Sequence, residues 1–417
     1  MESSTALITN DAAVLGLLAV LLGTVFWTSH SDHPVFKKFY RYVPALLVCY
    51  FLPSLFNSFG IISGEQSRLY FVSSRYLLPA TLVLLTLSID FQGIKKLGPK
   101  ALIMFFTGTV SIVLGGPLAI MLFSLIAPDL VGGVGPDAVW RGLTTVAGSW
   151  IGGGANQTAM KEVYEVGDQL FSAMVAVDVI VANIWMAILL YMAGEAPRLD
   201  AKLGADTTAL EELRRKVQAF QEKHARIPSL NDLMIIIAVG FGAMGISHVI
   251  ADWLAPWIGE NFPALNRLSL ASQFFWLVVV ATTIGMVLSA TRVRELEGAG
   301  ASKVGSAMLY ILIASIGMNM DITAVVKQPG LFAVGAVWIS IHAISLLVVG
   351  RMIKAPTFYL AVGSQANVGG AASAPVVASA FHPTLAPVGV LLAVLGYALG
   401  TYGAWLCGQL MRIAAGG

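Results

Sequence analysis

Long apolar runs, separated by short polar stretches, divide this chain from end to end. Ten of these runs have roughly the 17 to 25 residues that a helix needs to cross the hydrocarbon core of a bilayer. They lie near residues 12–28, 43–62, 73–90, 101–126, 170–193, 231–254, 271–291, 304–320, 331–350 and 385–411. The pattern predicts an all-helical integral membrane protein with about ten transmembrane helices.

Two glycine-rich segments interrupt this pattern at corresponding places in the two halves of the chain. Residues 148–159 read GSWIGGGANQTA, and residues 363–374 read GSQANVGGAASA. The first segment precedes the fifth apolar run and the second precedes the tenth. The two segments fall outside the ten apolar runs, and each is predicted to be a re-entrant hairpin that enters and leaves the membrane on one side.

The charged residues favour one orientation of the chain. Acidic Glu2 and Asp11 precede the first apolar run, and basic Lys37 and Lys38 follow it. A cleaved signal peptide has the opposite charge order, so the run is predicted to be a retained span. With the N terminus outside, 18 of the 25 Lys and Arg residues fall in loops that face the cytoplasm. This count requires both glycine-rich segments to be re-entrant, because a full span at either place would invert every later loop. Both termini are then expected on the periplasmic side.

Five spans and one hairpin in each half predict an inverted-topology repeat. The first repeat is expected over residues 1–193, with its re-entrant segment at 142–162, and the second over residues 231–417, with its re-entrant segment at 355–380. Residues 194–230 read as a cytoplasmic linker with an amphipathic helix. A solvated connection between the halves, regulation and a dimer contact are all open interpretations of that helix.

Irregular backbone at membrane depth needs a reason, because unsatisfied peptide groups are costly in hydrocarbon and are tolerated only inside protein or beside a wet cavity. Glycine permits a tight turn and lets a ligand approach the main chain, and a half-helix beyond the turn offers free N–H groups to an anion. Close helix packing through small residues is the alternative, but packing glycines need no neighbouring Asn and Gln. We therefore expect the two clusters to bind a solute through Gly152, Gly153, Gly154, Gln365, Asn367, Gly369, Gly370 and Ser373.

One ionisable residue lies deep within a predicted span. Asp178 follows the first cluster and lies roughly 12 Å into a hydrocarbon core about 30 Å thick. A carboxylate at this depth is a candidate for binding a coupling cation or proton, and a protonated or hydrogen-bonded structural aspartate is the alternative. The polar groups expected to join it in ion coupling are Asn156, Gln157, Thr158, Asn183, Asn319 and Asp321, and the sodium candidates are Asn156, Thr158 and Asp178.

Composition narrows the class of function. The 417 residues are 57% hydrophobic and 12% charged, with a mean hydropathy of +0.79, as in an integral membrane protein. A net charge of +2 gives no reason to expect nucleic acid as a partner. The sequence contains no H-E-x-x-H, G-x-S-x-G, C-x-x-C or phosphate-binding loop, so we expect neither an enzyme nor a cofactor other than a coupling sodium ion.

The two clusters also resemble those of known bacterial transporters. Paired Gly-Gly and Ala-Asn re-entrant segments in a five-plus-five repeat are similar to those of the glutamate:sodium and 2-hydroxycarboxylate symporters. The Gly-Gly-Ala-Asn and Ala-Asn-Val-Gly-Gly strings most resemble the YjcL-like bacterial membrane proteins, a domain of unknown function. The resemblance implies a dimeric elevator transporter, with a scaffold from the early spans of each half and a moving domain that holds both hairpins. It places in the site Gly152, Gly153, Gly154, Asn156, Asn367, Gly369 and Gly370.

The sequence thus predicts a secondary active transporter in a bacterial inner membrane, which moves a small organic anion or zwitterion such as a carboxylate or an amino acid. Sodium-coupled symport by an elevator mechanism is the main interpretation. A proton-coupled transporter and a passive channel for small solutes are the alternatives. The expected partners are the solute, the lipid bilayer and a second copy of the chain in a homodimer.

Overall fold

The computed structural model is that of a helical protein, and it describes residues 6–43, 45–64, 66–89, 94–95, 97–205, 227–263, 265, 270–319, 328–382 and 385–416. All regular structure in these ranges is helical. In chain order the helices are α1 (Asp11–Ser29), α2 (Pro34–Tyr42), α3 (Ala45–Ser58), α4 (Leu69–Leu87), α5 (Pro99–Ile126), α6 (Val139–Val163), α7 (Asp168–Gly194), α8 (Ala196–Leu203), α9 (Leu230–Asn261), α10 (Gln273–Ser289), α11 (Ala301–Gly317), α12 (Gly330–Met352), α13 (Thr357–Val368), α14 (Gly370–Phe381) and α15 (Ala386–Ala414). Short helical turns lie at Pro128–Val131, Gly135–Asp137 and Arg292–Ala299.

Each of the ten predicted apolar runs coincides with a helix. Among the described residues, seven helices are long and apolar enough to cross a membrane, or eight if α10 and the turn Arg292–Ala299, bent by 94°, form one span. α3 and α11 are shorter, with 14 and 17 residues. The chain is therefore a multi-pass helical membrane protein, as the pattern predicts, and the count of ten spans stays a prediction.

Local sequence signals account for where several helices begin and bend. α1 begins after Asn10, whose side chain accepts hydrogen bonds from two N–H groups of the first turn. α9 begins with a capping box between Ser229 and Asp232. α4 contains a π-helical turn at Ser73–Leu77, a feature that recurs at functional sites. This turn carries Arg75, which contacts Glu162 of α6.

The helices pack in two groups. α1, α3, α4, α9, α10 and α11 contact one another and form the support bundle. α5, α6, α7 and α12 to α15 contact one another and form the hairpin bundle, in which α6 packs along α15. Each half of the chain supplies its first three predicted spans to the support bundle and its last two to the hairpin bundle. The resemblance implies this same division for a scaffold and a moving domain, and movement itself stays a prediction.

Tryptophans mark both the lipid-facing surface and the core. Trp253 and Trp257 are exposed on α9, with their rings stacked 6.1 Å apart, which is typical of aromatic residues at a membrane interface. Trp150 and Trp338 are fully buried in the hairpin bundle, with ring centroids 5.0 Å apart. Trp150 therefore packs inside the hairpin bundle.

Part of the predicted linker lies outside the described residues. α8 forms its beginning, whereas the amphipathic helix predicted within residues 206–226 is not among the described ranges. Asp321, an ion-coupling candidate, lies outside them as well.

Candidate functional site

The first glycine-rich segment makes a hairpin within α6. Gly153 breaks the helix with φ +74° and ψ −175°, a conformation that is essentially restricted to glycine. The chain then runs back along itself, so that a Cβ placed on Gly148 would lie 2.6 Å from the carbonyl oxygen of Asn156. At the base, Arg141 donates from Nη1 to the carbonyl oxygen of Tyr164 at 2.5 Å. The two ends of the segment therefore lie side by side, as a re-entrant segment requires.

α13 and α14 form a second hairpin. They are separated by a break at a glycine pair, of which Gly370 has φ +58°. At the base, the rings of Phe358 and Phe381 pack edge to face with centroids 5.3 Å apart. This segment also begins and ends at one place in the bundle. Residues 139–163 and 357–381 are called the first and second hairpin below.

The tips of the two hairpins meet inside the hairpin bundle. A Cβ placed on Gly370 would lie 3.8 Å from the Cα atom of Gly153. α15 approaches the first tip closely, since a Cβ on Gly152 would lie 2.7 Å from the Cα atom of Gly400. Larger side chains at such positions would push the backbones apart. The structure thus brings three of the predicted glycines, from both clusters, to one point.

Gln365 and Ser373 bridge the second tip. Gln365 donates from Nε2 to Ser373 Oγ at 2.7 Å, and the two side chains lie over Gly369, where they leave no room for a Cβ. The other amide atom, Gln365 Oε1, is buried and has no hydrogen-bond partner in the described part of the chain. A buried acceptor without a donor is costly, so this oxygen is open to a donor group of a ligand. Gly154 lies at the first tip near Leu309 of α11, so the support bundle borders the site.

The bases of the two hairpins contact different parts of the chain. Beside the first base, Arg75 Nη1 of α4 lies 3.0 Å from Glu162 Oε2. Beside the second base, Asp200 Oδ1 of α8 accepts a hydrogen bond from the backbone N–H of Thr357 at 2.7 Å. The charge pattern predicts that the end of α4 with Arg75 faces the outside and that α8 faces the cytoplasm. Entry of the two hairpins from opposite sides of the membrane is consistent with these contacts and stays a prediction.

Asn156 lies just beyond the first tip and bonds to α15. Its Nδ2 donates to the carbonyl oxygen of Gly152 at 2.8 Å and to that of Tyr397 at 3.2 Å. Its Oδ1 accepts from Thr401 Oγ1 at 2.7 Å. The amide is fully buried, and its donor and acceptor atoms are both engaged within the protein.

Asn367 lies just before the second tip and makes a matching set of bonds to α5. Its Nδ2 donates to the carbonyl oxygens of Gly363 and Phe105, at 2.9 and 3.0 Å. Its Oδ1 accepts from Thr109 Oγ1 at 2.7 Å. Each hairpin is thus held by an asparagine that bonds to a helix from the other half of the chain.

Asp178 lies in the middle of α7 and is only 3% exposed. Gln157 donates from Nε2 to Asp178 Oδ2 at 2.8 Å, and Tyr50 OH donates to Gln157 Oε1 at 3.4 Å. The side chains of Ser149 and Trp150 also face the carboxylate. None of these four neighbours carries a positive charge. Hydrogen bonds from neutral groups therefore surround this carboxylate, and a proton or a bound cation would offset its charge.

The other ion-coupling candidates do not all surround Asp178. Thr158 is buried beside Tyr50, so it shares a neighbour with Gln157. The remaining candidates lie elsewhere: Asn156 bonds to α15, Asn183 bonds to the carbonyl oxygen of Val179 in its own helix, Asn319 lies against Gly64, and Asp321 is outside the described residues. The three sodium candidates therefore do not form one cluster, because Asn156 is engaged on another face of the hairpin.

A second buried polar chain crosses the hairpin bundle. Trp185 donates from Nε1 to Ser364 Oγ at 2.7 Å. His342 Nε2 lies 2.8 Å from Ser364 Oγ, and His342 Nδ1 lies 2.8 Å from Ser111 Oγ. Both ring nitrogens have partners, so a structural role accounts for this histidine.

Sequence reasoning missed Tyr50, Thr109 and Thr401. Tyr50 stands within an apolar run and gives no sign of its contact with Gln157. The two threonines do share a local pattern, FFTGT at 105–109 and YALGT at 397–401, with an aromatic residue four positions before the threonine. That similarity between the halves was the available signal, and a search for apolar runs does not detect it.

The fold and the site define a multi-pass helical membrane protein with two hairpins whose tips meet within its bundle. Residues 16–414 match the family described as Protein of unknown function (DUF819), and the chain belongs to that family. It is also 24% identical over 364 residues to the Uncharacterized membrane protein YjcL of Bacillus subtilis (strain 168). The aligned residues make up 84% of this chain and 85% of that protein. The resemblance to YjcL-like proteins is confirmed, whereas kinship with the glutamate:sodium and 2-hydroxycarboxylate symporters stays a prediction.

Proposed function

We propose that this membrane protein is a secondary active transporter that binds a small organic anion or zwitterion where the two hairpin tips meet. The observation that carries the proposal is the approach of Gly370 to Gly153, with two broken helices facing each other inside a helical bundle. Broken helices are costly at membrane depth, and in secondary transporters such discontinuous helices form the substrate and ion sites. A chain that only needed to pack helices would gain nothing from two facing breaks.

The half-helices that leave the tips supply the anion-binding groups. Residues 154–163 and Gly370–Phe381 both begin at the tips, and the first N–H groups of a helix lack partners within it. Gln365 Oε1 adds a buried acceptor beside them. An anionic group then bonds to the N–H groups, while a hydroxyl or ammonium group of the same molecule donates to Gln365. Small hydroxy acids and amino acids have this combination of groups.

Asp178 is the proposed coupling residue, with sodium as the coupling ion. Asp178, Gln157 and Tyr50 supply oxygen atoms in one buried cluster, and oxygen ligands suit a hard cation. Gln157 lies four residues after Gly153 in the first hairpin. An ion bound by Asp178 and by Gln157 Oε1, in place of the hydrogen bond from Gln157 Nε2 to Asp178, orders the first tip, which links ion binding to solute binding.

Alternating access follows if the hairpin bundle slides against the support bundle, as in an elevator. The hairpins carry the proposed site, and the first hairpin contacts the support bundle through Arg75 and Glu162 and through Tyr50 and Gln157. Sliding breaks these contacts and exposes the tips to the other side without unfolding either bundle. A homodimer through the support bundle belongs to the same proposal.

A thermal-stability screen of the purified protein tests the proposal. The full-length protein in detergent is heated in sodium or potassium chloride, with a panel of hydroxy acids and amino acids. At least one solute should raise the unfolding temperature in sodium only, since a ligand at 100 times its Kd stabilises the folded state by about 2.7 kcal/mol. Stabilisation that depends on pH but not on sodium would favour proton coupling. A protein stabilised by neither ion nor solute would contradict the proposal.

Two aspartate variants test the coupling residue. Asp178→Asn removes the buried negative charge and should abolish the response to sodium. Asp129→Asn is the matched control, because Asp129 is exposed in the turn Pro128–Val131. The control should respond to sodium as the unaltered protein does. A normal sodium response in Asp178→Asn would remove Asp178 from the coupling site.

A further inference from the structure

Two threonines each hold the asparagine of a hairpin from the opposite half of the chain. Thr401 of α15 donates to Asn156 Oδ1, and Thr109 of α5 donates to Asn367 Oδ1, both at 2.7 Å. All four side chains are at most 8% exposed. The paired residues are 245 and 258 positions apart in the sequence. Each bond therefore joins the first half of the chain to the second.

The partners of each asparagine decide the orientation of its amide. Nδ2 faces two backbone carbonyl oxygens in both Asn156 and Asn367, and a carbonyl oxygen can only accept. The reversed amide would place Oδ1 against those two oxygens. Oδ1 must therefore face the threonine hydroxyl. Removal of that hydroxyl leaves a buried amide oxygen without a donor.

The two supporting helices present the same local geometry. In each helix, the carbonyl oxygen that accepts from Nδ2 belongs to the aromatic residue four positions before the threonine. A glycine lets the helix come close: a Cβ on Gly108 would lie 2.9 Å from Asn367 Nδ2, and one on Gly400 would lie 2.6 Å from Asn156 Nδ2. In each supporting helix, a carbonyl oxygen and a threonine hydroxyl one turn apart therefore bind the two ends of the asparagine amide.

We propose that Thr109 and Thr401 are positioning residues that keep the two hairpin tips in register. Each does so by holding the asparagine beside the opposite tip. The inference rests on the proposed function, because the tips form the proposed solute site. It also gives Asn156 and Asn367 a different role from ion or solute binding, since their amides are already bonded. As a consequence, the two hairpins, α5 and α15 move as one unit.

The first of these links also touches the support bundle. Thr282 Oγ1 of α10 lies 3.2 Å from Thr401 Oγ1. Because Thr401 gives its proton to Asn156, Thr282 is the donor in this contact. Sliding of the bundles breaks the Thr282 contact and leaves the bonds to the asparagines intact.

Hydrogen–deuterium exchange, followed by mass spectrometry on the purified full-length protein, tests the inference without a transport assay. Thr401→Val should speed exchange roughly tenfold in the first hairpin and leave α15 itself protected. Thr109→Val should do the same in the second hairpin and leave α5 protected. Serine at either position keeps the hydroxyl and should restore protection. A threonine that only stabilised its own helix would not produce this displaced pattern.

Thr145→Val is the matched control. Thr145 is buried in the first hairpin, but its hydroxyl donates to the carbonyl oxygen of Gly142 in the same arm. This variant should leave both hairpins protected. A valine variant that fails to fold is replaced by alanine at the same position, which also removes the hydroxyl.

Two results would overturn the inference. One is unchanged exchange in both hairpins of the folded Thr401 and Thr109 variants. The other is a uniform increase throughout the protein, because the hydroxyls would then serve global stability and not the tips. Neither result depends on sodium or on a solute. A failure of the proposed transport function therefore shows separately, as a missing ligand response in the unaltered protein.

Discussion

The three glycines of the first tip meet different physical demands. Gly153 has a positive φ that other residues rarely adopt. Gly152 has no room for a Cβ against Gly400. Gly154 has ordinary space, since the nearest atom to its Cβ position is 3.9 Å away. All three residues are glycine in the sequence, and only the backbone geometry distinguishes their roles.

Alanine substitutions should separate these demands. Gly153→Ala should lower the free energy of unfolding by about 1 to 3 kcal/mol, the cost of forcing a side chain into a glycine-only conformation. Gly154→Ala should have little effect or raise stability slightly, because alanine loses less backbone entropy in a helix. Unfolding in mixed detergent and dodecyl sulfate measures both. Equal destabilisation by the two variants would show that the break is not set at Gly153.

The helical elements themselves could be predicted well from the apolar runs, and the breaks within them from glycine. The predicted re-entrant segments, 142–162 and 355–380, overlap the hairpins at 139–163 and 357–381. The additional helix α2 and the π turn in α4 were not predicted, because neither forms an apolar run of its own. Hydropathy detects segments that are buried in lipid, whereas a short helix or a π turn depends on local hydrogen bonds.

The contacts of the site were less accessible to prediction than its position. Asn156 and Asp178 lie near each other in the sequence, which suggested one cation site. A helical arm presents successive residues to different neighbours, so Asn156 faces α15 while Gln157 faces Asp178. The partners Tyr50 and Thr401 come from distant segments, and only tertiary packing brings them to the hairpin.

The base of the second hairpin is held by an element outside it. Asp200 Oδ1 of α8 accepts from both the N–H and the hydroxyl of Thr357, and so caps the start of α13. Asp200→Ala should cost about 1 kcal/mol of stability, the usual value of a lost cap. Glu195→Ala is the control, because the Glu195 side chain pairs with exposed Arg198, and this variant should cost less than about 0.5 kcal/mol. Thermal unfolding of both variants measures these losses of stability. Equal losses would show that Asp200 does not stabilise the start of α13.

At the scale of the whole molecule, the two bundles are joined by polar contacts at the base of the first hairpin. Glu162 pairs with Arg75 at 3.0 Å and accepts a hydrogen bond from Tyr70, and Lys161 Nζ lies 3.0 Å from Tyr70 OH. Arg75 and Tyr70 belong to the support bundle, whereas Glu162 and Lys161 belong to the hairpin bundle. These contacts oppose any sliding of one bundle against the other.

If sliding limits transport, weaker contacts should change the rate and not the affinity. Glu162→Gln keeps the shape of the side chain and removes its charge, so it should change the maximal uptake rate several-fold with little change in the half-saturating solute concentration. Glu165→Gln is the control, since the Glu165 side chain is 83% exposed and 4.0 Å from Arg141. A change confined to affinity would indicate that Glu162 acts on the site and not on the movement.

The most direct measurement is uptake by proteoliposomes under an inward sodium gradient, using the solute that the thermal screen identifies. The solute should accumulate above its outside concentration, and accumulation should stop when the gradient is collapsed. It should be lost in Asp178→Asn and retained in Asp129→Asn. Flux that only runs downhill and ignores sodium would contradict a sodium-coupled transporter built on the two hairpin tips.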